Sequence, residues 1–128
     1  MKLLLDTHIL LWAADGSDQL PAVARRLLND PVNELFFSPA SLWEVVIKNG
    51  LGRADFKVDP HLLRRGLMDN SYHELAITSA HTVAIEGLPA IHKDPFDRIL
   101  VAQATTEGMV LVTSDAVVAQ YPGPIQKV

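Results

Sequence analysis

Apolar residues in this chain come in short blocks, each closed by a polar residue, a glycine or a proline. The first block, Lys2–Leu5, stops at Asp6-Thr7. It is too brief to show a period, but a helical pattern follows it, so it reads as a buried strand. Residues 8–14 form that helix, ended by Asp15-Gly16-Ser17. Pro21 opens a second helix to about Asn29, with Val23, Leu27 and Leu28 expected inward, and Asp30-Pro31 ends it. Residues 35–37 are the next strand. Ser38 is suited to an N-cap and Pro39 to a first helical position, so a helix is expected over 39–49. On it Trp43, Val46, Ile47 and Gly50 recur at three- and four-residue spacing, which predicts the buried stripe.

The later half repeats the scheme. Asp59-Pro60 starts a helix to about Asp69 with Leu62, Leu63 and Leu67 inward. A short strand is expected over 74–77 and a helix over 79–86, then the Leu88-Pro89 turn. In His92-Lys-Asp-Pro-Phe-Asp, Asp94 is placed to cap a helix whose first residue is Pro95, with Asp97 in its first turn, where the helix dipole favours a carboxylate. A strand over 109–112 ends at Thr113-Ser114-Asp115, and residues 125–128 suit an edge strand. Strands alternating with helices predict an α/β fold with a mainly parallel sheet between two helical layers. Sites in such folds lie beyond the carboxyl ends of the strands.

That rule gives four scattered acids a common address. Asp6 follows the first strand, and Glu44 lies in the second turn of the helix after the second strand. Asp97 opens the central helix, and Asp115 follows the late strand. Each has a plain structural alternative. Asp6 can end a strand, Glu44 is spaced to pair with Lys48 four residues on, Asp115 can belong to a turn, and Asp97 can pair with Arg98. Joint placement at one edge is what favours a site. Carboxylates gathered there repel unless a cation binds, and oxygen-only ligands suit Mg²⁺ or Mn²⁺ better than Zn²⁺. Thr7, Thr113 and Ser114 are candidates to orient waters or ligands, and Asp94 is either an outer ligand or, preferably, a cap.

Composition narrows the field. A length of 128 residues with 48% hydrophobic and 20% charged positions suits one globular domain over 1–128. With no cysteine, disulfides and thiolate chemistry are excluded, as suits a reducing cytoplasm. Neither a signal peptide nor a membrane span is expected. The net charge of −4 argues against gripping long nucleic acid through phosphates alone, though not against a cation-bridged site. Lys48, Arg53, Lys57, Lys93 and Arg98 are candidates for a positive rim. The five histidines, His8, His61, His73, His81 and His92, show no metal-ligand spacing and read as surface or boundary residues. Trp12 and Trp43 suit core or interface better than base stacking.

Four segments, in order, carry a resemblance. Residues 4–12 (LLDTHILLW), 38–48 (SPASLWEVVIK), 92–104 (HKDPFDRILVAQA) and 111–115 (LVTSD) together resemble PIN-domain proteins, most closely VapC toxins of bacterial toxin–antitoxin pairs. The resemblance implies a three-layer α/β/α fold and a Mg²⁺- or Mn²⁺-dependent endoribonuclease with Asp6, Glu44, Asp97 and Asp115 as catalytic metal ligands. It also implies a homodimer and an antitoxin partner that covers the acidic site with a basic side chain, so that DNA is met only through the antitoxin. A metal-dependent phosphatase, a DNA nuclease and a non-catalytic acidic-pocket signalling module use similar acids and stay open.

Overall fold

The computed structural model describes residues 1–128 except Arg53 and Asp55. Five strands, β1 (Lys2–Leu5), β2 (Glu34–Phe37), β3 (His73–Glu74), β4 (Val110–Thr113) and β5 (Ile125–Lys127), form one sheet in the order β3-β2-β1-β4-β5. Every neighbouring pair is parallel. The helices are α1 (Thr7–Asp15), α2 (Ala22–Asn29), α3 (Pro39–Gly50), α4 (Pro60–Asp69), α5 (Ser79–Ala84) and α6 (Pro95–Glu107). This is the expected α/β/α architecture. The strand expected over 74–77 shrinks to two residues, and β4 ends one residue later than its pattern suggested.

Strand β1 explains the layering. Leu3, Leu4 and Leu5 are all fully buried, because successive side chains leave opposite faces of a strand and both faces here are covered. Leu3 and Leu5 join Ile9, Leu10, Phe37, Val45, Leu63, Leu67 and Val112 in one core. Leu4 joins Leu100, Val101, Ala104, Leu111, Val118 and Tyr121 in the other. The chain builds outward from β1 to β2 and β3, then returns to place β4 on the other side of β1. Strand order therefore reverses between β1 and β4, and in open α/β sheets ligands commonly bind beyond the carboxyl ends of strands at such a reversal.

Three inward assignments are corrected. On α3 the buried residues are Ala40, Ser41, Glu44 and Val45, whereas Trp43, Val46 and Ile47 are 63%, 51% and 41% exposed. Both faces of this helix carry apolar residues, so periodicity could not choose between them. The small Ala40 and Ser41 let α3 approach α1, where Thr7 Oγ1 donates to Ser41 Oγ at 2.9 Å. Val23 of α2 and Leu62 of α4 also face outward. These two helices border a half-open groove of about 820 Å³ instead of being covered on every side.

Candidate metal centre

Asp6 is the residue before α1, in the extended conformation of an N-cap, yet its side chain makes no capping bond. Ser38, Asp59 and Asp94, in equivalent places, all cap their helices. The Asp6 carboxylate turns instead to Thr113 at the end of β4, whose Oγ1 donates to its Oδ2 at 2.5 Å. Thr113 Oγ1 also accepts the backbone N–H of Asp115 at 3.0 Å. One hydroxyl thus ties together the acids that follow β1 and β4, the two strands flanking the order reversal. Thr113→Val keeps the shape but removes both bonds. It should cost about 1–3 kcal/mol in denaturant unfolding, because a buried carboxylate loses its donor. An unchanged unfolding midpoint would show that the hydroxyl is dispensable.

Asp97 occupies the third position of α6, behind the cap formed by Asp94, whose Oδ1 accepts from Phe96 N at 2.8 Å and Asp97 N at 3.4 Å. Asp94 thus caps α6. Burial pushes the Asp97 carboxyl up to about 8, and the charges of Asp6, Asp94, Glu44 and Asp115 add to the shift. Asp6 is also raised, mainly by desolvation, with the Thr113 hydrogen bond opposing and Glu44 contributing. Asp6, Glu44 and Asp115, spread over most of the chain, therefore each lie within electrostatic reach of Asp97.

The ordinary roles of these residues persist alongside this. Glu44 pairs with Lys48 at 3.0 Å while its side chain is 9% exposed. Asp115 Oδ1 accepts from Val117 N at 2.8 Å and Val118 N at 3.4 Å, closing a turn. Among the described residues Ser114 makes no side-chain hydrogen bond to the acids. Among the described residues, the trio whose ligand atoms all lie within 4.8 Å is His92, Asp94 and Asp97, a tighter group than the four acids make.

The described candidates for a positive rim are placed differently from one another. Arg98 does not pair with Asp97. Its guanidinium instead donates to the carbonyls of Pro89, His92 and Ile85 and to Tyr121 Oη. Lys57 lines the groove beside α4, which contains none of the four acids. Lys48 is committed to Glu44, and Arg53 lies outside the described residues. Among the described candidates, Lys93 is exposed and next to Asp94 in sequence.

One histidine, His81, departs from the surface-or-boundary reading, and His92 sits at the boundary in contact with an acid. His81 is 1% exposed, with Nδ1 accepting from Thr78 N at 3.0 Å in a capping box and Nε2 3.4 Å from Glu107. His92 is half-buried, with Nε2 3.3 Å from Asp97 Oδ2. The signal for His92 was its spacing, five residues before Asp97 across a proline turn, which no regular helix would bring together.

A set of oxygen donors in which burial, and secondarily neighbouring negative charge, raises Asp6 and Asp97 fits a hard divalent cation, which would offset both. Asp6, Glu44 and Asp115 each contribute negative charge at Asp97.

Among curated proteins none matches this sequence. The fold is similar to VapBC2 from Rickettsia felis, solved bound to a DNA fragment from their promoter, at 16% identity and TM-score 0.70, covering 99% of this chain and 98% of that one. It is also similar to DNA-bound VapBC from Salmonella typhimurium, at 18% identity and TM-score 0.68 with the same coverage. VapBC-1 from nontypeable Haemophilus influenzae matches at 18% identity and TM-score 0.63, again over 99% and 98% of the two chains. The sequence profile of the PIN domain matches residues 3–124, nearly the whole chain, and the protein belongs to the PIN-domain family.

Proposed function

We propose that this protein is a single-domain, divalent-metal-dependent endoribonuclease, the VapC-type toxin of a toxin–antitoxin pair. The observation that carries the reading is the convergence of burial and negative charge on Asp97, whose acidic neighbours include Asp6 and Asp115, the acids that follow the paired strands β1 and β4. A divalent cation held there would lower the pKa of a bound water and offset charge building on the scissile phosphate. Asp6 and Asp97 act as principal ligands. Glu44 completes the shell or orients the attacking water, and Asp115 supports a second or weaker ion. Thr113 holds Asp6 in place, and Thr7 holds the start of α3 through Ser41. Attack in line leaves a 5′-phosphate and a 3′-hydroxyl.

End-labelled RNA, end-labelled DNA and a small phosphate ester, each with Mg²⁺ or Mn²⁺ and with EDTA, test the reading. Cleavage of RNA alone, abolished by EDTA, is the expected result. Preference for DNA or for the ester would move the protein to another phosphoesterase class. Inactivity on all three in both metals would favour a signalling module.

Two surfaces support the assembly part of this reading. The groove between α1, α2 and α4 has an apolar floor that includes Leu11, Leu20, Leu28, Leu63, Leu67 and Tyr72, a shape suited to an apolar antitoxin segment. The VapBC proteins of similar fold are themselves toxin–antitoxin complexes. A short neighbouring reading frame whose product co-purifies with the protein and stops cleavage is the expected finding; a product that leaves cleavage running would exclude it as the antitoxin. On α3, Trp43, Val46, Ile47 and the following Leu51 form an exposed apolar strip that supports a homodimer. Light scattering should report a dimer for the wild type and a monomer for Ile47→Glu. A wild type that is monomeric at micromolar concentration would remove the dimer from the proposal.

A soluble, cytoplasmic setting is part of the same proposal. Among the described residues no helix is long and apolar enough to cross a membrane.

A further inference from the structure

His92 is not one of the acids, yet more polar contacts converge on it than core packing needs. Its backbone N–H donates to Tyr121 Oη at 2.8 Å, and the same hydroxyl donates back to the His92 carbonyl at 3.1 Å. Arg98, the residue after Asp97, reaches Tyr121 Oη at 3.2 Å and the His92 carbonyl at 3.4 Å. The same guanidinium holds Pro89 and Ile85, so the whole approach to α6 is clamped to the helix that carries Asp97. Tyr121 is 3% exposed, and a phenylalanine would fill its place in the core equally well. Its hydroxyl is spent on His92.

The clamp has a chemical consequence at the ring. Asp94 N–H points back at His92 Nδ1, 3.3 Å away, because Asp94 turns to cap α6. A ring nitrogen that accepts a hydrogen bond carries no proton, so the proton of the neutral imidazole belongs on Nε2. Nε2 is the atom 3.3 Å from Asp97 Oδ2. One carboxylate oxygen therefore faces a fixed N–H donor, which leaves the other for a cation.

We propose that His92 is a positioning residue for Asp97: its Nε2–H, fixed in tautomer by Asp94 and held in place by Tyr121 and Arg98, orients the carboxylate that holds the divalent cation. The proposal rests on the metal reading above. Partners that orient a ligand from behind are commonly as sensitive to mutation as the ligand's own neighbours.

Titration of Mn²⁺ into the protein by calorimetry, without RNA, reads the effect directly. His92→Ala should weaken binding about 10-fold, with circular dichroism showing an intact fold. His92→Gln, which keeps an N–H near the Nε2 position, should recover most of that loss. Tyr121→Phe, which touches no acid, should weaken binding several-fold. Wild-type affinity in His92→Ala would overturn the proposal. So would a folded His92→Gln as weak as the alanine variant, since the imidazole would then be acting other than as a donor.

A second measurement needs no metal and no variant. Long-range ¹H–¹⁵N spectra of the metal-free wild type at neutral pH should show His92 protonated at Nε2 alone. The Nδ1–H tautomer would overturn the arrangement whatever the calorimetry gives. A wild type with the expected tautomer that nevertheless binds no Mn²⁺ would bring down the metal reading while leaving the His92–Asp97 contact standing.

Discussion

Asp97→Asn is expected to lower RNA cleavage about 100-fold or more while the folded protein becomes no less stable. The two halves of this result have one cause. Asp97 is the carboxyl on which burial and four neighbouring acids converge, so under the proposed metal reading it is both a ligand and, without the ion, a source of repulsion. Its folded-state pKa, about 8, lies above its ordinary value of 3.8, so the folded metal-free protein holds a proton that the unfolded chain releases. Stability contributed by that proton is fully present below about pH 4 and is lost as pH rises through about 8. At about 1.4 kcal/mol per pH unit the effect has a ceiling on the order of 5 kcal/mol. Urea unfolding of the metal-free wild type should therefore lose stability across this window, and the Asn variant should show a flatter profile. Full cleavage by a metal-saturated Asp97→Asn protein would refute the site; a variant with the wild-type pH slope would refute the electrostatic account of it.

The second large effect is stabilisation by the cation itself. At a Mg²⁺ or Mn²⁺ concentration about 100 times the dissociation constant, mass action adds about 2.7 kcal/mol, on the order of 10 °C in melting temperature for a chain of this size. The gain should be greatest near pH 8 and shrink toward pH 5, where a proton on Asp97 competes with the ion. Asp97→Asn and Asp6→Asn should each lose most of it. Thermal melts in EDTA and in either metal, at both pH values, give the comparison. Equal gains in wild type and in both variants would place the ion elsewhere on the protein.

The helix ends were legible because capping is local chemistry. Ser38-Pro39, Asp59-Pro60 and Asp94-Pro95 each start a helix as their residue types require. The fold class was legible because β1 is apolar on consecutive positions, which only a strand covered on both faces tolerates. The buried face of α3 was not, because both of its faces are apolar. The deciding factor is contact with α1 through Ser41, a residue that carries no hydrophobic signal. Arg98 misled for a related reason. A cation beside an acid suggests a pair, but Arg98 is turned away by carbonyls that a loop brings to it from positions 85, 89 and 92.

By itself, then, the sequence determined the order of strands and helices, the caps, and which acids fall after which element, since these depend on neighbours a few residues apart. Tertiary structure alone decided that β1 and β4 lie side by side, that Thr113 bonds an acid 107 positions away, and that Tyr121 and Arg98 hold His92 against Asp97. Those contacts join segments whose separation along the chain leaves no periodic trace. They arise from the crossover that returns the chain past β1, and that crossover is selected by burial of both faces of the sheet rather than by any local residue preference.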